Sequence, residues 1–222
     1  MNNLKLPKLV VFDMDGLMFD TELIMMEENA AVMAEYGYKQ TFEEYCRTIG
    51  TGGEEFMRLL HEIYGADYPA EEISDKARVR ATERLYREGV PVKKGIRELL
   101  QWLYEQGIPC CIATSTDAEH AREYIRMAGL DKYFKFMVAG DEVTRSKPDP
   151  EVHEKTCGKA GVLPGDALVL EDSDNGIFAA YNAGVPVICI PDLKQPSEAA
   201  AAKTACILPS AFDVIELLKG NI

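Results

Sequence analysis

The segment Leu9-Val10-Val11-Phe12-Asp13-Met14-Asp15-Gly16 joins four consecutive apolar residues to two carboxylates that are separated by one residue. A short, continuous apolar run indicates a strand that is buried on both faces, as in a parallel sheet. Ligands bind beyond the carboxyl ends of the strands in such sheets, so we expect Asp13 and Asp15 to lie at a ligand site. An Asp-x-Asp pair alone is equally typical of a turn, and its function depends on what the other strands carry.

From residue 93 onward, short apolar runs alternate with amphipathic segments, a pattern typical of βα units around a parallel sheet. The predicted strands are Leu9–Asp13, Ile108–Ala113, Phe136–Ala139, Ala167–Leu170 and Val185–Ile190. The helices predicted between them are Ile96–Glu105, Ala118–Met127, Pro150–Ala160 and Asn175–Ala183. We therefore predict an α/β fold with a doubly wound, Rossmann-like, mainly parallel sheet.

Residues 17–92 interrupt this alternation, because they contain amphipathic helical patterns and no convincing strand. The helical patterns cover Thr21–Tyr36, Glu54–Tyr64 and Glu71–Glu88. This insert holds 16 acidic and 8 basic residues, and it carries −8 of the formal net charge of −13. We predict two domains, an α/β core of residues 1–16 and 93–222 and a small all-helical domain of residues 17–92.

The composition bears on the partners and the compartment of the protein. With 24 Lys and Arg against 37 Asp and Glu, the chain lacks the basic surface that nonspecific nucleic-acid or anionic-lipid binding requires. The longest apolar runs are far shorter than the roughly 20 residues of a membrane-spanning helix. The N-terminal residues do not resemble a signal peptide, and the six cysteines show no disulfide or zinc pattern. We expect a cytoplasmic protein with no membrane or nucleic-acid partner; a monomer is expected, although the sequence does not determine the oligomeric state.

Acidic residues also end the strand predicted at 167–170, where Glu171 and Asp172 precede Ser173, a candidate helix N-cap. Strand ends from different βα units converge at one edge of a parallel sheet. Because like charges repel, converging carboxylates usually surround a cation or share a proton. Asp13, Asp172 and Glu171, with a backbone carbonyl of the first loop, offer the hard oxygen ligands that Mg²⁺ prefers.

A lysine and two hydroxyl residues occupy other strand ends. Lys147 stands before Pro148 at the start of a predicted helix; a lysine there is most often solvated, but beside carboxylates it could neutralise a transferring phosphoryl group. Thr114 and Ser115 lead from a strand into a helix, whose N-terminus suits a phosphate, although ordinary capping is an equal alternative. The three histidines lie on predicted helices away from these motifs, and we expect His61, His120 and His153 to be structural or exposed.

Taken together, these segments resemble the four motifs of the haloacid dehalogenase-like superfamily in their order and spacing. The matching segments are Asp13-Met14-Asp15-Gly16, Thr114-Ser115, Lys147-Pro148 and Glu171-Asp172-Ser173-x-x-Gly176. The helical insert directly after the first motif resembles the cap of the β-phosphoglucomutase-like phosphatase subgroup. The resemblance implies an enzyme that uses Mg²⁺ to hydrolyse a small phosphorylated metabolite, such as a sugar phosphate, through an aspartyl-phosphate.

The resemblance also implies a role for each motif residue. Asp13 would be the nucleophile, and Asp15 would act first as general acid and then as general base. The phosphate would be held by Thr114, Ser115 and Lys147, of which Lys147 also screens charge. The metal would be held by Asp13, the backbone carbonyl of Asp15, Asp172 and, directly or through water, Glu171.

The predicted cap departs from the pattern of the sugar-phosphate mutases in this subgroup. Met25 stands where those mutases carry a histidine, and Ile49 and Gly53 stand where they carry cations. Hydrolysis is therefore the favoured activity, with a β-phosphoglucomutase-type isomerase as the alternative. The candidate substrate contacts in the cap are Met25, Arg47, Gly50, Gly52 and Gly53.

Two other classes of protein compete with an enzyme. A receiver-like signalling module also combines clustered aspartates, Mg²⁺, a hydroxyl residue and a lysine on a doubly wound sheet, but the helical insert counts against it. A binding protein on an inactive enzyme scaffold is disfavoured because a competent residue occupies every catalytic position.

Overall fold

The computed structural model describes residues 5–51 and 53–220 of the 222-residue chain. The chain divides into two compact units, of which one runs up to Asp20 and resumes at Pro91, and the other is Thr21–Val90. The helical domain predicted at 17–92 thus begins four residues before the second unit and ends two residues after it. The difference has a local cause, because Phe19 forms β-bridges with both Asp15 and Val92 and so holds these flanking residues in the first unit.

The first unit contains a six-stranded sheet in which all strand pairs are parallel. The strands are β1 (Leu9–Phe12), β2 (Cys110–Ala113), β3 (Phe134–Val138), β4 (Ala167–Glu171), β5 (Val187–Cys189) and β6 (Cys206–Ile207). Their spatial order is β3-β2-β1-β4-β5-β6. The strand order reverses between β1 and β4, which confirms the doubly wound fold and places the switch point beside β1.

The second unit consists of helices. They are α1 (Thr21–Glu35), α2 (Phe42–Thr48), α3 (Gly53–Tyr64) and α4 (Ala70–Glu88). Helix α1 packs along α4, and their apolar residues form a core with Leu60 of α3. Helix α2 is absent from the sequence prediction; its N-cap is Thr41, whose hydroxyl and backbone form a capping box with Glu44.

The remaining helices alternate with strands β2 to β6 along the chain. They are α5 (Ile96–Glu105), α6 (Ala118–Ala128), α7 (Glu151–Ala160), α8 (Asp174–Asn182), α9 (Glu198–Ala201) and α10 (Ala211–Lys219). Every residue of β1, β2 and β4 is buried, so both faces of the central strands are covered, as their continuous apolar sequences predict. None of the helices within residues 5–51 and 53–220 is long and apolar enough to cross a membrane.

The six cysteines are free thiols, as predicted. Cys110 and Cys111 lie in β2 and Cys189 lies in β5, and all three are buried in the sheet. Burial raises the pKa of Cys110 and of Cys189 to about 12, so both thiols stay protonated at neutral pH. These cysteines therefore serve as small apolar core residues.

Candidate active site

The residues that the sequence assigns to a site follow four adjacent strands, each at its carboxyl end. Asp13 comes directly after β1, Thr114 directly after β2, and Asp172 directly after β4. Lys147 lies in the loop between β3 and α7, and the peptide bond between Lys147 and Pro148 is cis. Since β1 and β4 flank the switch point, these side chains meet where doubly wound sheets bind their ligands.

Lys147 joins two of the carboxylates. Its Nζ lies 2.6 Å from Asp13 Oδ1 and 2.6 Å from Glu171 Oε1, and it also donates to the carbonyl of Ala113 at 3.1 Å. The side chain is only 7% exposed. Burial alone would lower the pKa of Lys147, but the two carboxylates outweigh burial and raise it. Lys147 is therefore a fixed cation, not the solvated side chain that is commonest in such a position.

Asp13 is buried at the end of β1, where its backbone N–H donates to the carbonyl of Leu170 at 3.0 Å. Burial raises the pKa of Asp13; the ammonium of Lys147 opposes this effect, and the charges on Glu171 and Asp15 add to it, so the net shift is upward. The physical reason is that burial, together with two neighbouring negative charges, outweighs the effect of one ammonium. A divalent cation beside Asp13 would lower this pKa and keep the carboxylate ionised.

Asp13, Glu171 and Asp172 form a group that fits a metal ion. Each offers one carboxylate oxygen, and these three atoms lie within 4.8 Å of one another. The loop after β1 also approaches this group closely. A Cβ atom on Gly16, whose φ is +81°, would collide with the carboxylate of Asp172. An all-oxygen donor set of this size suits Mg²⁺ better than a soft metal.

Glu171 is fully buried, and both of its oxygens are engaged. Oε1 binds Lys147, while Oε2 accepts from the backbone N–H groups of Asp172 and Ser173 and from the Ser173 hydroxyl. A Cβ atom on Gly176 would collide with this carboxylate, which explains the glycine in the fourth motif. Ser173 also caps α8 by accepting from the Gly176 N–H at 3.1 Å, as predicted.

The loop after β2 brings hydroxyl groups to the same edge of the sheet. Thr114 is buried, and its hydroxyl accepts from the backbone N–H of Thr116 at 3.1 Å. Thr116 donates from its own hydroxyl to Asp15 Oδ2 at 2.6 Å. A side chain on Gly140 would collide with the carbonyl of Ser115, so this glycine permits the close approach of two loops. Thr116 is not among the site residues predicted from the sequence, although it stands two positions after Thr114 in the same hydroxyl-rich segment.

His153 lies beside the site. It belongs to α7, it is 1% exposed, and neither ring nitrogen has a hydrogen-bond partner within the described part of the chain. Burial, together with the nearby charge of Lys147, lowers the pKa of His153 to about 3. His153 thus lies closer to Lys147 than its sequence position indicates, and its burial fits the expectation that the three histidines are structural or exposed.

We expect His153→Phe to stabilise the protein, because phenylalanine fills similar space without burying two unpaired nitrogens, a change of about 1–3 kcal/mol. The gain in stability should be larger at acidic pH. The unfolded chain takes up a proton near pH 6.5 and the folded protein does not, so histidine costs about 1.4 kcal/mol more stability at pH 5.5 than at pH 7.5. Urea unfolding at both pH values measures this difference. The same substitution at exposed His61 is the control, and equal pH dependence in both variants would contradict the prediction.

The helical unit has a cavity of its own, of about 370 Å³. Its lining combines apolar side chains from α1 and α3 with a few polar groups: Met25, Phe56, Met57, Asn29, Gln40 and Tyr45 are among the lining residues. The Tyr45 hydroxyl donates to Glu22 Oε2 at 3.1 Å, and Asn29 donates to Gln40. An apolar surface with a few oriented polar groups is typical of sites for small organic molecules.

Only some of the candidate substrate contacts predicted in this unit line the cavity. Met25 and Gly50 line the cavity. Arg47 does not line it and instead forms an exposed ion pair with Glu62 at 2.7 Å. Gly53 begins α3 without lining the cavity, and Gly52 lies outside the described residues. The apolar and amide residues of the lining carry no sequence signal, because such side chains at helical spacing are typical of any helix core.

The sequence profile of a family described as haloacid dehalogenase-like hydrolase matches residues 10–190. The chain is 36% identical to the phosphorylated carbohydrates phosphatase of Thermotoga maritima, and this match covers 79% of the chain and 81% of that protein. It is 30% identical to (DL)-glycerol-3-phosphatase 2 of Arabidopsis thaliana, with 82% of the chain and 79% of that protein covered.

The fold is also shared with a solved structure. The crystal structure of CbbY from Rhodobacter sphaeroides in complex with phosphate matches with a TM-score of 0.77 and 25% identity, over 96% of this chain and 99% of that one. The motifs, the strand order of the sheet and these relatives all indicate the same family. The chain therefore belongs to the haloacid dehalogenase-like hydrolase family and is one of its phosphatases.

Proposed function

We propose that this protein is a Mg²⁺-dependent phosphatase that hydrolyses a small phosphorylated metabolite, such as a sugar phosphate, through a phosphorylated Asp13. One observation carries the proposal. Buried Lys147 bridges Asp13 and Glu171 at 2.6 Å each, at the switch point of the sheet and next to Asp172. This arrangement combines a nucleophilic carboxylate with positive charge for an anionic substrate.

Each half-reaction needs one group to attack phosphorus and one to move a proton. A carboxylate oxygen of Asp13 attacks phosphorus, the bond from phosphorus to the substrate oxygen breaks, and Asp15 gives its proton to the leaving oxygen. Asp15 then takes a proton from water, which attacks the phosphorylated Asp13 and releases inorganic phosphate and the free carboxylate. The contact with Thr116 supports this role of Asp15, because the Thr116 hydroxyl donates a hydrogen bond to Asp15 Oδ2 at 2.6 Å.

The other site residues would neutralise negative charge and bind the phosphoryl group. Lys147 neutralises the transferring phosphoryl group, and Thr114 with the amide of Ser115 binds its oxygens. Mg²⁺, held by Asp13, Asp172, the carbonyl of Asp15 and, directly or through water, Glu171, would supply charge that offsets the repulsion between Asp13 and the phosphate. Glu171 has a second task in this proposal, since its oxygens fix Lys147 and the backbone N–H groups of the loop that carries Asp172.

We further propose that the helical unit, residues 21–90, acts as a cap that excludes water and selects the leaving group. Its cavity of about 370 Å³ supports this role, because the lining offers both apolar and hydrogen-bonding surface. The names of the relatives support phosphorylated carbohydrates and polyols as the substrate class. A mutase is not favoured, since these relatives are named phosphatases.

A panel of phosphorylated metabolites tests this proposal. We expect phosphate release with Mg²⁺ from at least one sugar or polyol phosphate, at a kcat/KM in the range typical of enzymes, about 10⁴ M⁻¹s⁻¹ or more. Incubation with β-glucose 1-phosphate and a trace of the 1,6-bisphosphate distinguishes the mutase. If glucose 6-phosphate accumulates without phosphate release, the hydrolase proposal is wrong.

A further inference from the structure

Lys93 contacts the turn that follows the Asp13–Asp15 motif at two points. It lies in the segment by which the chain returns from the helical unit to the sheet. Its Nζ donates to the carbonyl of Gly16 at 2.6 Å, and its backbone N–H donates to the carbonyl of Met18 at 2.9 Å. Lys93 is not among the site residues predicted from the sequence, and it is 77 positions away from Gly16.

Asp192 completes the arrangement from a third segment, the loop after β5. Its Oδ1 forms an ion pair with Lys93 Nζ, and the two side chains are only 10% and 21% exposed, respectively. Its Oδ2 is buried and has no hydrogen-bond partner among the described residues. Removing both charges from water is costly, so a pair of this kind is weak support for a stabilising role and invites another explanation.

The position of Gly16 supplies that explanation. The Cα of this glycine adjoins the carboxylate of Asp172, so closely that a Cβ atom would collide with it. Lys93 holds the carbonyl of the same residue. A shift of this carbonyl would move the Gly16 Cα and change the spacing between Asp172 and the loop that begins at Asp13.

We propose that Lys93, oriented by Asp192, is a positioning residue that fixes the Gly16 carbonyl and thereby the separation of Asp172 from the Asp13–Asp15 loop. The pair touches neither phosphate nor metal in this account. Its effect on the rate rests on the proposed function, whereas its effect on the loop does not.

The Lys93→Met variant tests the proposal, because methionine keeps an unbranched apolar chain and removes the ammonium. By analogy with residues that orient metal ligands, we expect kcat to fall and the half-saturating Mg²⁺ concentration to rise by about 10-fold or more, with KM nearly unchanged. Two readouts do not depend on turnover. Amide hydrogen exchange across residues 14–19 should accelerate, and calorimetry should show weaker Mg²⁺ binding.

Asp192→Asn provides a milder second variant, because asparagine keeps an acceptor for Lys93. It should shift every readout in the same direction by a smaller factor, and the double variant should be less than additive. Lys8→Met is the matched control: Lys8 forms an exposed pair with Asp166 at 2.9 Å, and its loss should leave exchange at residues 14–19 and Mg²⁺ binding unchanged.

Two outcomes separate this inference from the proposed function. If Lys93→Met lowers only the unfolding temperature, with loop exchange and Mg²⁺ binding as in the wild type, the positioning role is overturned. If the wild type releases no phosphate from any substrate, but Lys93→Met still loosens the loop and weakens Mg²⁺ binding, the proposed function fails and the positioning role stands.

Discussion

The Asp13→Asn variant is expected to lose turnover and to keep its fold. Asparagine has the shape of aspartate, but its amide cannot attack phosphorus as a carboxylate does, so we expect kcat to fall at least about a thousandfold. The fold should survive because Lys147 keeps its ion pair with Glu171 at 2.6 Å. The substitution also removes one of the two buried carboxylates that share the ammonium of Lys147, so the unfolding temperature should equal or exceed that of the wild type.

Phosphate release from p-nitrophenyl phosphate and thermal unfolding by circular dichroism measure the two effects. Asp166→Asn is the matched control, since Asp166 precedes β4 at the opposite, amino end of the sheet and pairs only with exposed Lys8 among the described residues. Acid quenching during turnover of a ³²P-labelled substrate should trap phosphate on the wild type and on the control. Unchanged turnover in Asp13→Asn would overturn the assignment of the nucleophile.

The central sheet could be predicted because its sequence signal is local. Val10, Val11 and Phe12 are all fully buried between layers of helices, and a strand covered on both faces must be continuously apolar. The predicted helix Ile96–Glu105 has the bounds of α5, since its four buried residues recur at helical spacing. The fold class follows from such repeated units.

The elements that were missed are short or depend on distant partners. Strand β6 has only two residues, Cys206 and Ile207, and its identity as a strand comes from pairing with β5. Helix α2 has seven residues and was missed despite the capping box of Thr41 and Glu44. The domain boundaries also differ, because the bridge between Phe19 and Val92 joins residues that are 73 positions apart.

The candidate site likewise has residues that could be predicted from the sequence and contacts that could not. Asp13, Lys147 and Glu171 could be proposed from their positions at strand ends, and the structure brings them within hydrogen-bond distance of one another through Lys147. The contacts that orient such groups could not be predicted. Thr116 reaches Asp15, and Lys93 reaches Gly16, only because separate loops meet at the carboxyl edge of the sheet. The catalytic roles themselves stay predictions.

The acidity of the chain also gains a clearer physical meaning. A net charge of −13 argues against broad binding of polyanions. The site, however, contains a buried ammonium and a group of oxygen ligands for a cation, so a single phosphate can be bound where positive charge is local. Binding of the substrate should therefore depend on the metal.

Removal of Mg²⁺ with EDTA is therefore expected to lower turnover at least about a hundredfold, because charge stabilisation by a bound metal is worth several kcal/mol. Asp172→Asn should raise the half-saturating Mg²⁺ concentration by about 10-fold or more, since it removes one charged ligand from the group. The control is Asp174→Asn at the first position of α8, because Asp174 accepts instead from the backbone N–H of Ser197 at 3.0 Å and should leave the Mg²⁺ dependence unchanged.

Substrate binding gives the decisive measurement, because it separates the metal's effect on affinity from its effect on the chemical step. The inactive Asp13→Asn variant can be titrated calorimetrically with a substrate identified in the panel, with Mg²⁺ and again with EDTA. We expect measurable binding only with Mg²⁺, since Lys147 is the one ammonium that bridges Asp13 and Glu171 in the described chain, and Asp172 repels the phosphate. Equally tight binding in EDTA would show that Lys147 and the loop after β2 suffice, and it would contradict a metal-dependent site.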